Sequence, residues 1–139
     1  MGVTLDDDAR RYLAAFEDVT GVAGRDCVVH KKRLLVVVAP GEMAEAIGPG
    51  GERVRRFEEH VDRSVRLVED AGEPAEFIAN ALAPAVVHNV TISENDDVVA
   101  YVEVAREDRG VAIGKDGWTI EAARELAKRH FGIDDIQLV

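Results

Sequence analysis

The sequence predicts an α/β chain of the α+β kind, made of two copies of one unit with the order α-β-β-α-α-β. Shifting the chain by 66 positions lays Val36-Val37-Val38-Ala39 over Val102-Glu103-Val104-Ala105, both apolar β-type runs. The same shift lays Ala46-Ile47-Gly48-Pro49-Gly50-Gly51 over Ala112-Ile113-Gly114-Lys115-Asp116-Gly117, then Val54 over Ile120 and Glu59 over Glu125. Such self-similarity is the signature of a duplicated structural unit. With 139 residues there is chain for two small packed cores. The copies are expected at residues 1–72 and 73–139, with the boundary near Gly72-Glu73-Pro74.

In the first copy, Thr4 can cap a helix whose first turn holds Asp6, Asp7 and Asp8, placed for the positive end of the helix dipole. Leu5, Ala9, Tyr12, Leu13 and Phe16 share one helical face, and Thr20-Gly21 stops the helix. Cys27-Val28-Val29 and Leu34 to Val38 read as strands of a hairpin turned by His30-Lys31-Lys32-Arg33. A short helix over Glu42 to Ala46, the glycine segment 48–51, a helix from Glu52 to about Val61 and a strand over Val65 to Val68 complete the unit.

The second copy repeats this order. Pro74 opens a helix with Phe77, Ile78, Ala81 and Leu82 on one face, and Pro84 closes it. Val86 to Ile92 and Val98 to Val104 make a hairpin around Glu94-Asn95-Asp96-Asp97. A short helix ends at Ile113, the second glycine segment follows, and Thr119 to His130 is a longer helix. Ile136 to Val139 is the closing strand, about five residues later than its counterpart.

Composition excludes several function classes. No apolar run approaches the roughly 20 residues of a membrane-spanning helix. The acidic start is unlike a secretory signal, and Asp6 stands where N-myristoylation would want Ser or Thr, so a cytoplasmic protein is expected. The single Cys27 excludes an intramolecular disulfide framework and a cysteine-rich zinc site. Residues 1–73 carry 15 acids against 11 bases, and residues 74–139 carry 12 against 6. A net charge of −10 argues at face value against a nucleic-acid partner. With four Lys against thirteen Arg and abundant Asp, however, the balance reads as salt adaptation. An acidic cytosolic domain of an ordinary organism is the alternative. Under salt adaptation, global charge reports on the solvent rather than on the partner.

The chemistry is expected at the glycine segments. Gly at both ends lets a ligand backbone approach without meeting a Cβ, and the helix beginning at the second Gly would aim unpaired N–H groups at that space. A tight helix–helix turn would account for one such segment; two in equivalent places favour a binding role. A dinucleotide fingerprint fails because Gly48 and Gly50 are followed by Arg53. A Walker loop fails because only three residues separate Gly110 from Gly114, and Lys115 precedes Asp116. His30, His60, His88 and His130 are scattered over different elements, Asp134-Asp135 read as surface acids, and no nucleophile has a base beside it. No catalysis, metal or cofactor is expected.

Ile47-Gly48-Pro49-Gly50-Gly51-Glu52-Arg53-Val54 and Ile113-Gly114-Lys115-Asp116-Gly117-Trp118-Thr119-Ile120 resemble the core motif of KH domains, and the element order resembles their type II form. The tandem, the linking segment 72–85 and the ending over 123–136 are similar to the archaeal NusA-like transcription factors. The resemblance spans essentially the whole chain. It implies two tandem type II KH domains, each with a three-stranded sheet packed on helices, and single-stranded RNA bound at about four nucleotides per domain. Gly48, Pro49, Gly50, Gly51 and Gly114, Lys115, Asp116, Gly117 would then clamp the sugar-phosphate backbone. Ile47, Val54, Ile113 and Ile120 would floor the bases.

Arg53, Arg55, Arg56, Arg63 and Arg66 follow the first motif, and Lys115, Arg124, Lys128 and Arg129 lie in or after the second. Arg is suited to phosphate and to stacking, yet helical pairing with Glu52, Glu58, Glu59, Glu121 and Glu125 competes for these bases. Pro49-Gly50 stand where a basic residue would be useful, and Asp116 in the second copy would repel phosphate. Trp118 can stack on a base or pack in the fold. The resemblance implies a monomeric, non-enzymatic factor in transcription elongation, termination and antitermination, bound to nascent RNA and the RNA polymerase elongation complex. A ribosome-biogenesis RNA binder and a protein-interaction module that has lost RNA binding remain alternatives. In strong salt, apolar base contacts would have to carry affinity, so a log–log salt slope shallower than about −4 is expected.

Overall fold

The computed structural model describes residues 6–139. The chain divides into two compact units, Met1–Asp70 and Ala71–Val139. The first contains α1 (Asp7–Thr20), β1 (Gly24–Val29), β2 (Arg33–Val38), α2 (Met43–Ile47), α3 (Glu52–Val61) and β3 (Ser64–Glu69). The second contains α4 (Pro74–Leu82), β4 (Val87–Glu94), β5 (Val98–Val104), α5 (Arg109–Ile113), α6 (Trp118–Phe131) and β6 (Asp135–Leu138). Each unit therefore has the order α-β-β-α-α-β read from the sequence, with a 3-10 turn between its two consecutive helices and another ahead of α5.

Both sheets are mixed. The middle strand pairs antiparallel with the strand before it and parallel with the strand after the helices, giving the orders β1-β2-β3 and β4-β5-β6. A bulge interrupts each hairpin, between Gly24 and Asp26 and between Val87 and Asn89. The two bulges face residues 66 apart, because Asp26 pairs with Val37 and Asn89 with Glu103. The duplication thus extends to the sheet irregularities.

The first helix starts later than the sequence suggested. Its cap is Asp6, whose carboxylate accepts the Ala9 amide at 2.8 Å, with Asp7 and Asp8 in the first turn. Thr4 and Leu5, expected as cap and apolar-face residue, lie outside the described residues. Gly21 ends α1 at φ 76°, its amide donating to the Glu17 carbonyl. Strand β1 begins at Gly24 rather than Cys27: a Cβ there would come within 2.5 Å of Leu13 and 2.8 Å of Val36, so glycine lets α1 close onto the sheet.

The first core gathers Leu13 and Phe16 of α1, Leu34, Val36 and Val38 of β2, Ala46 of α2, and Phe57 and Val61 of α3. Phe16 and Phe57 meet edge to face at 5.1 Å, a favoured aromatic geometry. In the second unit, Phe77, Ile78 and Leu82 of α4, Val102 of β5, Leu126 of α6 and Ile136 of β6 are fully buried. Phe77 stacks on His130 at 5.3 Å, which gives that histidine a packing role. The middle strands differ. Residues Leu34 to Val38 are buried on both faces of β2, whereas β5 alternates, with Tyr101 38% exposed between buried Ala100 and Val102.

Candidate nucleic-acid interface

The glycine segments adopt one backbone shape twice. Gly48 (φ 76°, ψ 171°) matches Gly114 (81°, 170°), and Gly50 (60°, 19°) matches Asp116 (57°, 22°). Gly51 (79°, 15°) likewise matches Gly117 (75°, 10°). The conformation of Gly48 and Gly114 is one that essentially only glycine adopts. Space adds a second reason. A Cβ on Gly48 would lie 2.7 Å from Arg53 Cγ, and one on Gly114 would lie 2.3 Å from Thr119 Oγ1 and 2.8 Å from its backbone nitrogen. The outer positions are the opposite: around Gly50 and Gly117 a Cβ would meet nothing within 4 Å. Each loop is thus crowded at its first glycine and open at one later position, Gly50 in the first and Gly117 in the second; at Gly51, the counterpart of Gly117, a Cβ would lie 3.3 Å from Arg55 Nη1, and the counterpart of Gly50 carries the Asp116 side chain.

The amides at the second glycine are not unpaired, contrary to the sequence expectation. Gly51 and Gly117 donate to the carbonyls of Gly48 and Gly114, each at 3.1 Å, and the Glu52 and Trp118 amides donate to the carbonyls of Pro49 and Lys115. The loop folds into a 3-10 turn before the helix begins, and this uses N–H groups that a bare helix start would leave open.

The aliphatic residues beside the loops divide into two sets. Ile47 and Ile113, each immediately before its loop, are 36% and 42% exposed. Val54 is partly buried, and Ile120 is 5% exposed, within the packed interior of its unit. Trp118, at the start of α6, is partly buried.

Most of the basic residues singled out from the sequence have structural partners. Arg53 donates to the Glu45 carbonyl at 2.8 Å, Arg55 to the Gly50 carbonyl at 2.7 Å, and Arg56 pairs with Glu52 at 2.7 Å. Arg63 bonds the Tyr12 hydroxyl at 2.6 Å and lies over its ring. Burial pulls the Arg66 guanidinium below its ordinary pKa. Arg124 ties α6 to β6, reaching the Ile136 carbonyl at 3.0 and 3.2 Å, Asp135 at 3.0 Å and Glu121 at 2.7 Å. Lys128 pairs with Asp134, and Arg129 with Glu125. The Asp134 carboxyl sits below its usual range because Lys128 and the Val98 amide hydrogen-bond to it. Lys115 is exposed beside Asp116 at the second loop.

Sequence reasoning missed the contacts that shape the loops: Thr119 against Gly114, Arg53 against Gly48, and the Arg55 bond to Gly50. All three join residues five apart across the turn, a spacing with no signature outside the folded loop. A groove of about 590 Å³ lined by Lys31, Lys32, Glu58, Glu59, Asp62, Arg63 and Ser64 lies at the far end of α3, about 15 Å from the first loop along the helix. Among the described residues, no three His, Cys, Asp or Glu side chains gather as a metal site, and no helix is long and apolar enough to cross a membrane.

Comparison with known proteins fits this geometry. Residues 74–139 match the NusA-like second KH domain. A probable transcription termination protein NusA of Halococcus morrhuae is 60% identical over 138 residues, covering 99% of both chains. The chain belongs to the NusA family. A NusA protein of Halobacterium salinarum, also named a probable transcription termination protein, is 56% identical, again over 99% of each chain. Both NusA relatives come from halophilic archaea, in line with the acidic, arginine-over-lysine composition. The crystal structure of APE1850 superposes on this chain with a TM-score of 0.86 and 25% identity, covering 97% of this chain and 100% of its own. The two mixed three-stranded sheets packed on helices are those of tandem KH domains.

Proposed function

We propose that the protein is a non-enzymatic transcription factor that binds single-stranded RNA through both glycine loops and acts in transcription elongation, termination and antitermination. The observation that carries this reading is the pairing of an open loop position, Gly50 in the first loop and Gly117 in the second, with an exposed isoleucine at Ile47 and Ile113. Where a Cβ meets nothing, a sugar-phosphate backbone can lie against the peptide, and the neighbouring isoleucine receives the face of a base. In this reading residues 1–72 form the first KH domain and residues 73–139 the second, the protein is a cytoplasmic monomer, and its partners are the nascent transcript and the elongating polymerase.

Arg56, Arg124, Lys128 and Arg129 are paired with carboxylates, which leaves Arg53, Arg55 and Lys115 as the cations beside the loops, so base contacts carry a large share of affinity. Binding measured against salt is then expected to follow a log–log slope shallower than about −4. Crosslinking in cells followed by sequencing of the attached RNA tests the role. Nascent messenger and leader transcripts are expected; ribosomal precursors alone would point to ribosome biogenesis, and no RNA at all to a protein-interaction module.

A further inference from the structure

The two loops share a backbone but exchange their charges. At positions 66 apart, Pro49 stands against Lys115, Gly50 against Asp116, and Arg55 against Glu121. The first loop carries no cation of its own, yet Arg55 Nη1 reaches back from α3 and donates to the Gly50 carbonyl at 2.7 Å. The same nitrogen lies 3.3 Å from where a Cβ on Gly51 would be. In the second loop this clasp is missing in kind, because Glu121 has no proton to give and is bound to Arg124 at 2.7 Å. The cation there is Lys115, on an exposed side chain within the loop.

We propose that Arg55 is the charge-bearing residue of the first loop, and that Lys115 supplies the charge of the second loop from a different place. A guanidinium has five donors in a rigid fork, and one of them holds the Gly50 carbonyl. The second loop holds the same torsions without such a bond, so the clasp does not set the backbone course; it fixes where the guanidinium sits, against the Gly50 carbonyl and beside Gly51. It also sets a positive charge directly behind the surface on which a phosphate would rest. In the second loop the charge rides on a flexible stem and is opposed by neighbouring Asp116. The first loop thus presents a charge held in place, and the second a weaker, adaptable anion contact. This deepens the proposed RNA-binding reading and rests on it.

The test measures binding of the full chain to a randomised single-stranded RNA of about ten nucleotides, enough for two KH sites, over a range of salt. Arg55→Gln is expected to weaken binding about tenfold and to make the salt slope shallower by roughly 0.7, the loss of one phosphate contact. Arg55→Lys keeps the charge without the fork, so the slope should stay while affinity falls about threefold. Glu121→Arg should strengthen binding severalfold and steepen the slope. Thermal unfolding of each variant, expected to stay within a few degrees of the parent, separates a binding effect from misfolding.

The proposal is overturned if Arg55→Gln leaves affinity and slope unchanged while Gly50→Asp weakens binding at low salt; the first loop then binds RNA without Arg55. If the parent chain binds no RNA, or Gly50→Asp has no effect at low salt, the loop-binding reading itself fails. An equal loss in Arg55→Lys and Arg55→Gln, with the slope unaltered in both, would remove the charge role.

Discussion

Replacing Gly50 by Asp separates what the first loop needs for folding from what it needs for binding. Asp116 already occupies the equivalent place with φ and ψ each within 3° of those of Gly50, so the backbone has a demonstrated way to hold an aspartate there. A Cβ at Gly50 meets no atom within 4 Å, which leaves only the left-handed backbone cost of about 1 kcal/mol for a non-glycine residue. The fold should therefore survive. Binding should not be spared. A carboxylate about 5 Å from a bound phosphate repels it by about 1–3 kcal/mol at effective dielectric constants between those of a protein surface and water. That corresponds to a roughly 5- to 150-fold loss of affinity at low salt. Near 1 M salt the screening length is about 3 Å and most of the penalty should disappear. Gly50→Asn carries the same shape without the charge and should stay within about threefold of the parent. Fluorescence anisotropy with labelled single-stranded RNA at low and high salt, beside thermal unfolding by circular dichroism, reads both quantities. Equal losses for Asp and Asn at every salt concentration would refute the electrostatic reasoning.

Other consequences concern the scaffold. Gly114→Ala should destabilise the second unit by about 2–4 kcal/mol, since it combines a glycine-only backbone with a 2.8 Å approach to the Thr119 nitrogen, whereas Gly117→Ala should cost about 1 kcal/mol; chemical denaturation distinguishes them. Arg124→Met should lower stability by about 1–2 kcal/mol with little change in RNA affinity, because its donors hold Ile136, Asp135 and Glu121. Asp134 has a depressed carboxyl pKa in the folded state, so its stabilisation is present above the unfolded value of about 4 and is lost as pH falls through the folded value. Asp134→Asn should therefore flatten the acid limb of a stability-against-pH curve, and an unchanged limb would contradict this.

The parts legible in the sequence are those fixed by local chemistry or by repetition. Val98–Val104 and Glu52–Val61 follow from apolar periodicity, and the loop pair from two glycines recurring at a constant shift. Side-chain partnerships across the turn were not legible. Arg124 and Lys128 read equally well as phosphate ligands or as surface pairs, and only the closing strand brings Ile136, Asp135 and Asp134 against them. Ile120 aligns with Val54, yet it is buried where Val54 is partly buried, so equivalent positions do not have equivalent exposure. The helix cap moved from Thr4 to Asp6 because three consecutive aspartates each offer a capping oxygen, and sequence alone does not rank them. The 3-10 turn that uses the Gly51 and Gly117 amides was hidden for a related reason: it depends on left-handed torsions at Gly50 and at the non-glycine Asp116.

An amide-resolved NMR titration with short single-stranded RNA tests the central claim most directly. The largest shifts are expected at Ile47 and residues 50–53, and at Ile113 and residues 115–119, with the exposed sheet face around Tyr101 unmoved. Shifts concentrated on that face or on the groove at Lys31 and Lys32, with both loops silent, would contradict it.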